Sequence, residues 1–182
     1  MIRKLFRNAK IFTASDPGIP LTGKRLGEIL HFEQGAILCQ DGVIKAMGEE
    51  QQVTASLLPG EVDIEVDCEG CCVIPGFVDP HTHMCFAETR EKEFALRMEG
   101  AEYLEILRQG GGILSSVRAV RVTSEEELLS VTLQRALSAL ELGTTTLEIK
   151  SGYGLNTETE LKMLRVIDRV GRETHLDVVP TF

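Results

Sequence analysis

The sequence predicts an α/β protein in which a small β-rich domain precedes a parallel sheet, either doubly wound or closed into a barrel. Short β-forming segments separated by turn signals fill the first 74 residues. From residue 75 onward the pattern becomes strand, helix, strand, helix, strand, and that alternation predicts parallel strands joined by helical crossovers. A His-x-His pair closes the first apolar strand of this second part.

Within residues 1–74, Ala9–Thr13 and Ala36–Gln40 are β-forming. The second runs into Asp41-Gly42, a two-residue hairpin signal, and continues as Val43–Met47. Glu61–Val66 alternates strictly, as a half-buried strand does. Ser15–Gly23, with two Pro and two Gly, reads as loop, so the region is expected to be a small antiparallel β unit. Cys72–Val78 is a near-continuous apolar run and predicts one strand buried on both faces. A helical region is expected from about Arg90 to Arg108, with Phe94, Ala101, Leu104 and Leu107 among its apolar positions, until Gly110-Gly111-Gly112 breaks it. Ser124 with Glu127 offers a capping box for the next helix. Its stripe is Leu129, Leu133, Ala136, Leu137 and Leu140, and Gly143 ends it. Thr144–Ile149 is the second strand. Thr157 with Glu160 offers another capping box, for a helix with Leu164, Ile167 and Val170 on its stripe, and Leu176–Phe182 begins a third strand.

Composition narrows the function classes. Hydrophobic residues at 43% and charged residues at 26% are those of a folded globular chain rather than a disordered one. A net charge of −9 argues against nucleic-acid binding and against attraction to anionic lipid. No apolar run approaches the roughly 18 residues of a membrane span, and the charged start, Met1–Asn8, lacks the apolar core of a secretory signal. A cytoplasmic protein is expected. The five thiols, Cys39, Cys68, Cys71, Cys72 and Cys85, fit a reducing compartment. Cys68, Cys71 and Cys72 look like half of a zinc knuckle, yet no second ligand pair follows at suitable spacing, so packed or surface thiols are expected. Cys85 follows the His pair and is given no role.

The chemistry concentrates at Pro75-Gly76-Phe77-Val78-Asp79-Pro80-His81-Thr82-His83. Side chains two apart on a strand share a face, so His81 and His83 can present two imidazoles to one ion. Neutral imidazole suits zinc, iron and related metals. Two ligands alone do not make a site, but two of the chain's four histidines fall here, directly after an apolar strand. His31 and His175 lack such a setting. On the residues alone, Arg90 reads as a surface residue of the charged run Glu88–Glu93, and Tyr153, between two glycines at a strand end, as either a rim or a contact residue. The triple glycine lacks the Lys-Ser/Thr of a phosphate loop and follows a helix rather than a strand.

The segment Pro75–His83 after a β-rich start resembles the amidohydrolase superfamily. Phe86–Phe94, Tyr103–Ile113, Glu148–Leu155 and Glu158–Val166 resemble its imidazolonepropionase family more specifically, and the likeness covers almost everything from residue 73. The resemblance implies the N-terminal part of a metal-dependent (β/α)8 TIM-like barrel, preceded by a small β-sandwich-like domain. The implied domains are 1–74 and 75–182, the second incomplete: such a barrel takes ~250 residues, and the chain stops in an apolar strand.

The implied reaction is hydrolysis of 4-imidazolone-5-propanoate to N-formimidoyl-L-glutamate in histidine degradation, with one divalent metal, zinc or iron. His81 and His83 become metal ligands, while Arg90 and Tyr153 become substrate contacts, Arg90 holding the propanoate carboxylate with its planar fork. Lys150 is read as structural or as supporting the site. The remaining ligands and the general base are expected beyond Phe182, so the chain alone is expected to fold poorly and to be inactive. A homodimer is implied by family analogy. Another amidohydrolase, such as a heterocycle deaminase, and a non-catalytic relative remain the alternatives.

Overall fold

The chain folds as two units, Met1–Pro75 and Gly76–Phe182, in a computed structural model describing residues 1–182. The first unit is one five-stranded sheet. Its strands are β1 (Arg3–Ala14), β2 (Ile29–Gln40), β3 (Val43–Glu49), β4 (Ile64–Asp67) and β5 (Cys72–Val73), with a 3-10 turn at Gly23–Gly27 and a short helix, α1 (Glu50–Thr54). The order is β3-β2-β1-β4, and β5 also pairs with β1. Asp41 and Gly42 both take positive φ, 50° and 82°, and this joins β2 to β3 as the Asp-Gly pair predicts.

Two expectations for this unit need correcting. The sheet is mixed, because β4 and β5 return parallel to β1. It is also a single sheet rather than a sandwich. The β1–β2 register shifts between Phe6 and Ala9, where Asn8 has φ 53°. Such a bulge turns the following side chains to the other face. Leu5 therefore packs with Ala36 and Val53, whereas Ala9 and Ile11 pack with Ile37. Adjacent residues Ala36 and Ile37 point to opposite faces, so each face carries its own small core. The alternating segment ends up on an edge: β4 starts only at Ile64 and is exposed throughout.

The second unit is a three-stranded parallel sheet ordered β6 (Phe77–Thr82), β7 (Thr144–Lys150), β8 (Asp177–Thr181). Helices α2 (Glu91–Met98), α3 (Tyr103–Arg108), α4 (Ile113–Val122) and α5 (Glu125–Glu141) connect β6 to β7, and α6 (Thr157–Glu173) connects β7 to β8. Three strands do not close a barrel. The apolar run at 72–78 is two strands, not one, because Pro75 offers no N–H and the chain changes sheets there. Phe77 and Val78 are 54% and 63% exposed, since β6 has only β7 as a neighbour. The helical region expected at 90–108 is interrupted between α2 and α3, where Gly100 has φ 92°. Helix α4 was not anticipated: its buried face includes Ser116 and Ala119, which give little apolar signal.

The core lies between β7 and the last two helices. Leu147 and Ile149 of β7, Leu128 and Ala136 of α5, and Met163, Val166, Ile167 and Val170 of α6 are completely buried. Each such large side chain contributes about 1.5–3 kcal/mol. Thr132 joins them because its hydroxyl donates to the Leu128 carbonyl at 2.7 Å. Helix α5 starts at the predicted capping box: Ser124 Oγ accepts from Glu127 N at 3.2 Å, and Ser124 N donates to Glu127 Oε2 at 3.1 Å. At α6 the cap is Asn156, whose Oδ1 accepts from Thr159 N at 2.9 Å, and Glu160 is used elsewhere. No helix is long and apolar enough to cross a membrane. Ser124→Ala should lower stability by about 1 kcal/mol, measured by urea unfolding of the full-length gene product with an unchanged m-value.

Candidate metal and substrate site

The site grows from the C-terminal ends of β6 and β7. Pro80 cannot donate to the ladder, and the pairing jumps from Asp79↔Leu147 to Thr82↔Ile149, which places one extra residue in β6. Glu148 compensates for the broken ladder. Its Oε2 accepts from Thr82 N at 3.0 Å, and its backbone carbonyl accepts from Thr82 Oγ1 at 2.7 Å. Thr181 donates its hydroxyl to the same carboxylate, and Lys150 Nζ lies 3.4 Å away. The Thr181 hydroxyl does most to hold the Glu148 carboxyl below the usual carboxylate range, helped by the Thr82 N–H against the cost of burial. The backbone between the two histidines is thereby pinned.

His81 and His83 are exposed, with ring centroids 5.1 Å apart and planes nearly perpendicular. Two imidazoles on one tetrahedral ion, each nitrogen ~2.0–2.1 Å from it, have centroids about 5.2 Å apart. The spacing is compatible with one shared ion and equally with a plain edge-to-face contact of the two rings. No group of three or more His, Cys, Asp or Glu in the chain gathers at metal-binding distance. The Tyr153 ring lies 5.6 Å from that of His83. His83, Arg90 and Tyr153 line one open cleft of about 410 Å³, together with Phe86 and Ser116. Arg90 is the residue before the first turn of α2, and its guanidinium is 3.8 Å from Glu93, which leaves most of its donors free.

Several supporting residues carry no sequence signal. Arg135, on α5, donates to the carbonyls of Met84 and Phe86 at 3.0 and 2.5 Å and lies 3.6 Å above the Phe86 ring, fixing the segment after His83. Burial lowers its pKa. Glu93 accepts from Gly112 N at 3.0 Å, so a carboxylate fills the triple-glycine loop and excludes a phosphate cradle. Lys150 also donates to Thr181 Oγ1 at 3.3 Å. Outside the site, His31 stacks on Phe12 at 4.3 Å and pairs with Glu33, and His175 is exposed.

No family model matches the sequence. The fold is that of solved hydrolytic enzymes. Escherichia coli guanine deaminase matches with a TM-score of 0.70 at 15% identity, over 99% of this chain and 36% of that one. A mutant atrazine chlorohydrolase from Arthrobacter aurescens, solved with zinc and atraton, matches at 0.58 and 14%, over 98% and 35%. This chain shares the fold of those enzymes, and its His-x-His pair stands where the first strand of the parallel sheet ends.

Sequence relatives are more specific. An imidazolonepropionase of Syntrophobacter fumaroxidans is 66% identical over all 182 residues, which cover 43% of it. One of Desulfotalea psychrophila is 58% identical over the same span, covering 44%. A probable imidazolonepropionase of Mus musculus is 44% identical over 163 residues, 89% of this chain and 38% of that protein. The chain belongs to the imidazolonepropionase family, and it spans about two fifths of the length of these relatives.

Cys85, next to the site in sequence, is completely buried in the core, and burial pushes its thiol up to about 12. It is neither exposed to the cleft nor available as a thiolate. A thiol reagent at pH 8 should modify exposed Cys71 and Cys72 within minutes and Cys85 only after unfolding, read by peptide mass mapping of the alkylated protein.

Proposed function

We propose that this chain supplies two metal ligands and one wall of the substrate cleft to an enzyme that hydrolyses 4-imidazolone-5-propanoate to N-formimidoyl-L-glutamate. The observation that carries the reading is the convergence of His83, Arg90 and Tyr153 on one cleft. A small anionic substrate with a cyclic amide at one end and a carboxylate at the other needs those groups: donors to a metal, a guanidinium, and a phenol.

His81 and His83 would hold one divalent ion, zinc or iron. When bound, such an ion lowers the pKa of its water and polarises a carbonyl. The chain's own residues do the rest of the work on this side. Arg90 receives the propanoate carboxylate through paired N–H groups, fixing the ring end over the histidines. Tyr153 offers a face for stacking and a hydroxyl for hydrogen bonding to the ring. Glu148 keeps the His81–His83 backbone from shifting, as a support rather than a participant. The further metal ligands and the general base are assigned to residues outside this chain. Residues 75–182 are assigned to the opening strands of a (β/α)8 barrel, the protein to the cytoplasm, and its assembly to a homodimer.

Turnover of imidazolonepropionate, followed by its loss of absorbance with the full-length gene product, tests this. His81→Ala and treatment with a metal chelator should each abolish turnover, and restoring the metal should recover the chelated enzyme. Arg90→Ala should raise KM by about 10- to 100-fold, the loss of a hydrogen-bonded charge pair, with Tyr153→Phe milder. Unchanged KM in both variants would mean that neither residue contacts the substrate, and wild-type protein that does not turn it over would mean a different substrate.

A further inference from the structure

We propose that Glu160 is a positioning residue that sets Tyr153 in place by gripping the backbone on both sides of it. The inference rests on the reading of Tyr153 as a substrate contact. Glu160 is in the first turn of α6, only 6% exposed, and its carboxylate turns back to the loop that follows β7. Oε2 accepts from Gly152 N at 2.8 Å, and Oε1 accepts from Gly154 N at 2.7 Å and Leu155 N at 2.8 Å. The two amides flanking Tyr153 are therefore tied to opposite oxygens of one carboxylate. Arg121 Nε adds a fourth tie, donating to the Gly154 carbonyl at 2.8 Å.

The glycines make this geometry accessible. Gly152 has φ 108°, and a Cβ at Gly154 would lie 2.7 Å from the Glu160 nitrogen, so the loop presses directly on the helix. The tethers use Glu160 as an anion: burial opposes its ionisation, and the N–H groups of Leu155, Gly152 and Gly154, together with the Ser151 hydroxyl, overcome that cost. A helix needs no such residue for its own cap, since Asn156 already fills that place. What the carboxylate fixes is the loop, and the side chain the loop presents is Tyr153, 5.6 Å from His83.

Glu160→Gln separates this role from general support. Its carbonyl can keep the bonds to Gly154 and Leu155, but its amide would point a donor at the Gly152 N–H. In the full-length gene product, hydrogen exchange of the 151–155 peptide should speed up at least tenfold while that of α6 is unchanged. KM for imidazolonepropionate should rise about tenfold with kcat less affected. In a Tyr153→Ala background the same substitution should change KM by less than about threefold, because the two residues act through one contact.

An equal KM penalty in both backgrounds would overturn the proposal, and so would unaltered exchange at 151–155. If Glu160→Gln yields no folded protein, Glu160→Asp, which keeps the charge and withdraws it by one methylene, carries the same measurements. Wild-type protein that ignores the substrate would sink the substrate reading, whereas the exchange experiment would still decide whether Glu160 holds the loop.

Discussion

In the second unit, the alternation of β7 sorts every neighbouring group. Leu147 and Ile149 go to the helices and are completely buried, while Glu148 and Lys150 go to the other face. Because the side-chain period of a strand is two, a slip of one residue would put a carboxylate and an ammonium into the apolar core and two aliphatic side chains at the site. Burying an unpaired charge costs far more than burying an aliphatic side chain gains. The packing of α5 and α6 thus fixes the register of β7, and that register brings the Glu148 carboxylate and carbonyl within hydrogen-bonding reach of Thr82. Core and site are two faces of one constraint.

Around the cleft the same device recurs. Glu148 takes the Thr82 N–H, Glu93 takes the Gly112 N–H, and Glu160 takes three amides of the loop at 152–155. Segments that leave a regular element have unpaired amides, and a buried amide without a partner is costly. A carboxylate can satisfy several at once and keeps its direction better than solvent would. Exposed ion pairs such as Arg165–Glu125 and Arg169–Glu126, which join α6 to α5, contribute far less.

What was legible in the sequence was whatever depends on near neighbours. The Asp41-Gly42 hairpin and the Ser124–Glu127 box involve atoms within three residues, so their chemistry is written in adjacent letters. That the His81 and His83 rings lie close together was legible for the same reason. Thr157 with Glu160 has the letters of a capping box too, yet Asn156 one position earlier caps better and frees Glu160 for amides five to eight residues upstream. The bulge at Asn8 was invisible because it depends on β2, and with it the small core on each face of the sheet. Arg135 sits at an ordinary polar position of a helix, and only the fold brings it to the carbonyls of Met84 and Phe86.

Parallel strands explain why residues so far apart in sequence meet. His81 and His83 lie where β6 ends, Arg90 lies in the segment that follows, and Tyr153 lies just after β7. In a parallel pair the C-terminal ends share one edge of the sheet, so the loops leaving both strands come out side by side. Antiparallel pairing would have sent the Tyr153 loop to the opposite end, a strand length from His83. Parallel pairing requires a crossover, and the crossover here is the run of helices from α2 to α5. These helices cover the apolar face of β7, carry Arg135 to the segment after His83, and bring Arg121 to Gly154. The same connection that makes the sheet parallel thus also fastens the two loops that the parallel sheet has brought together.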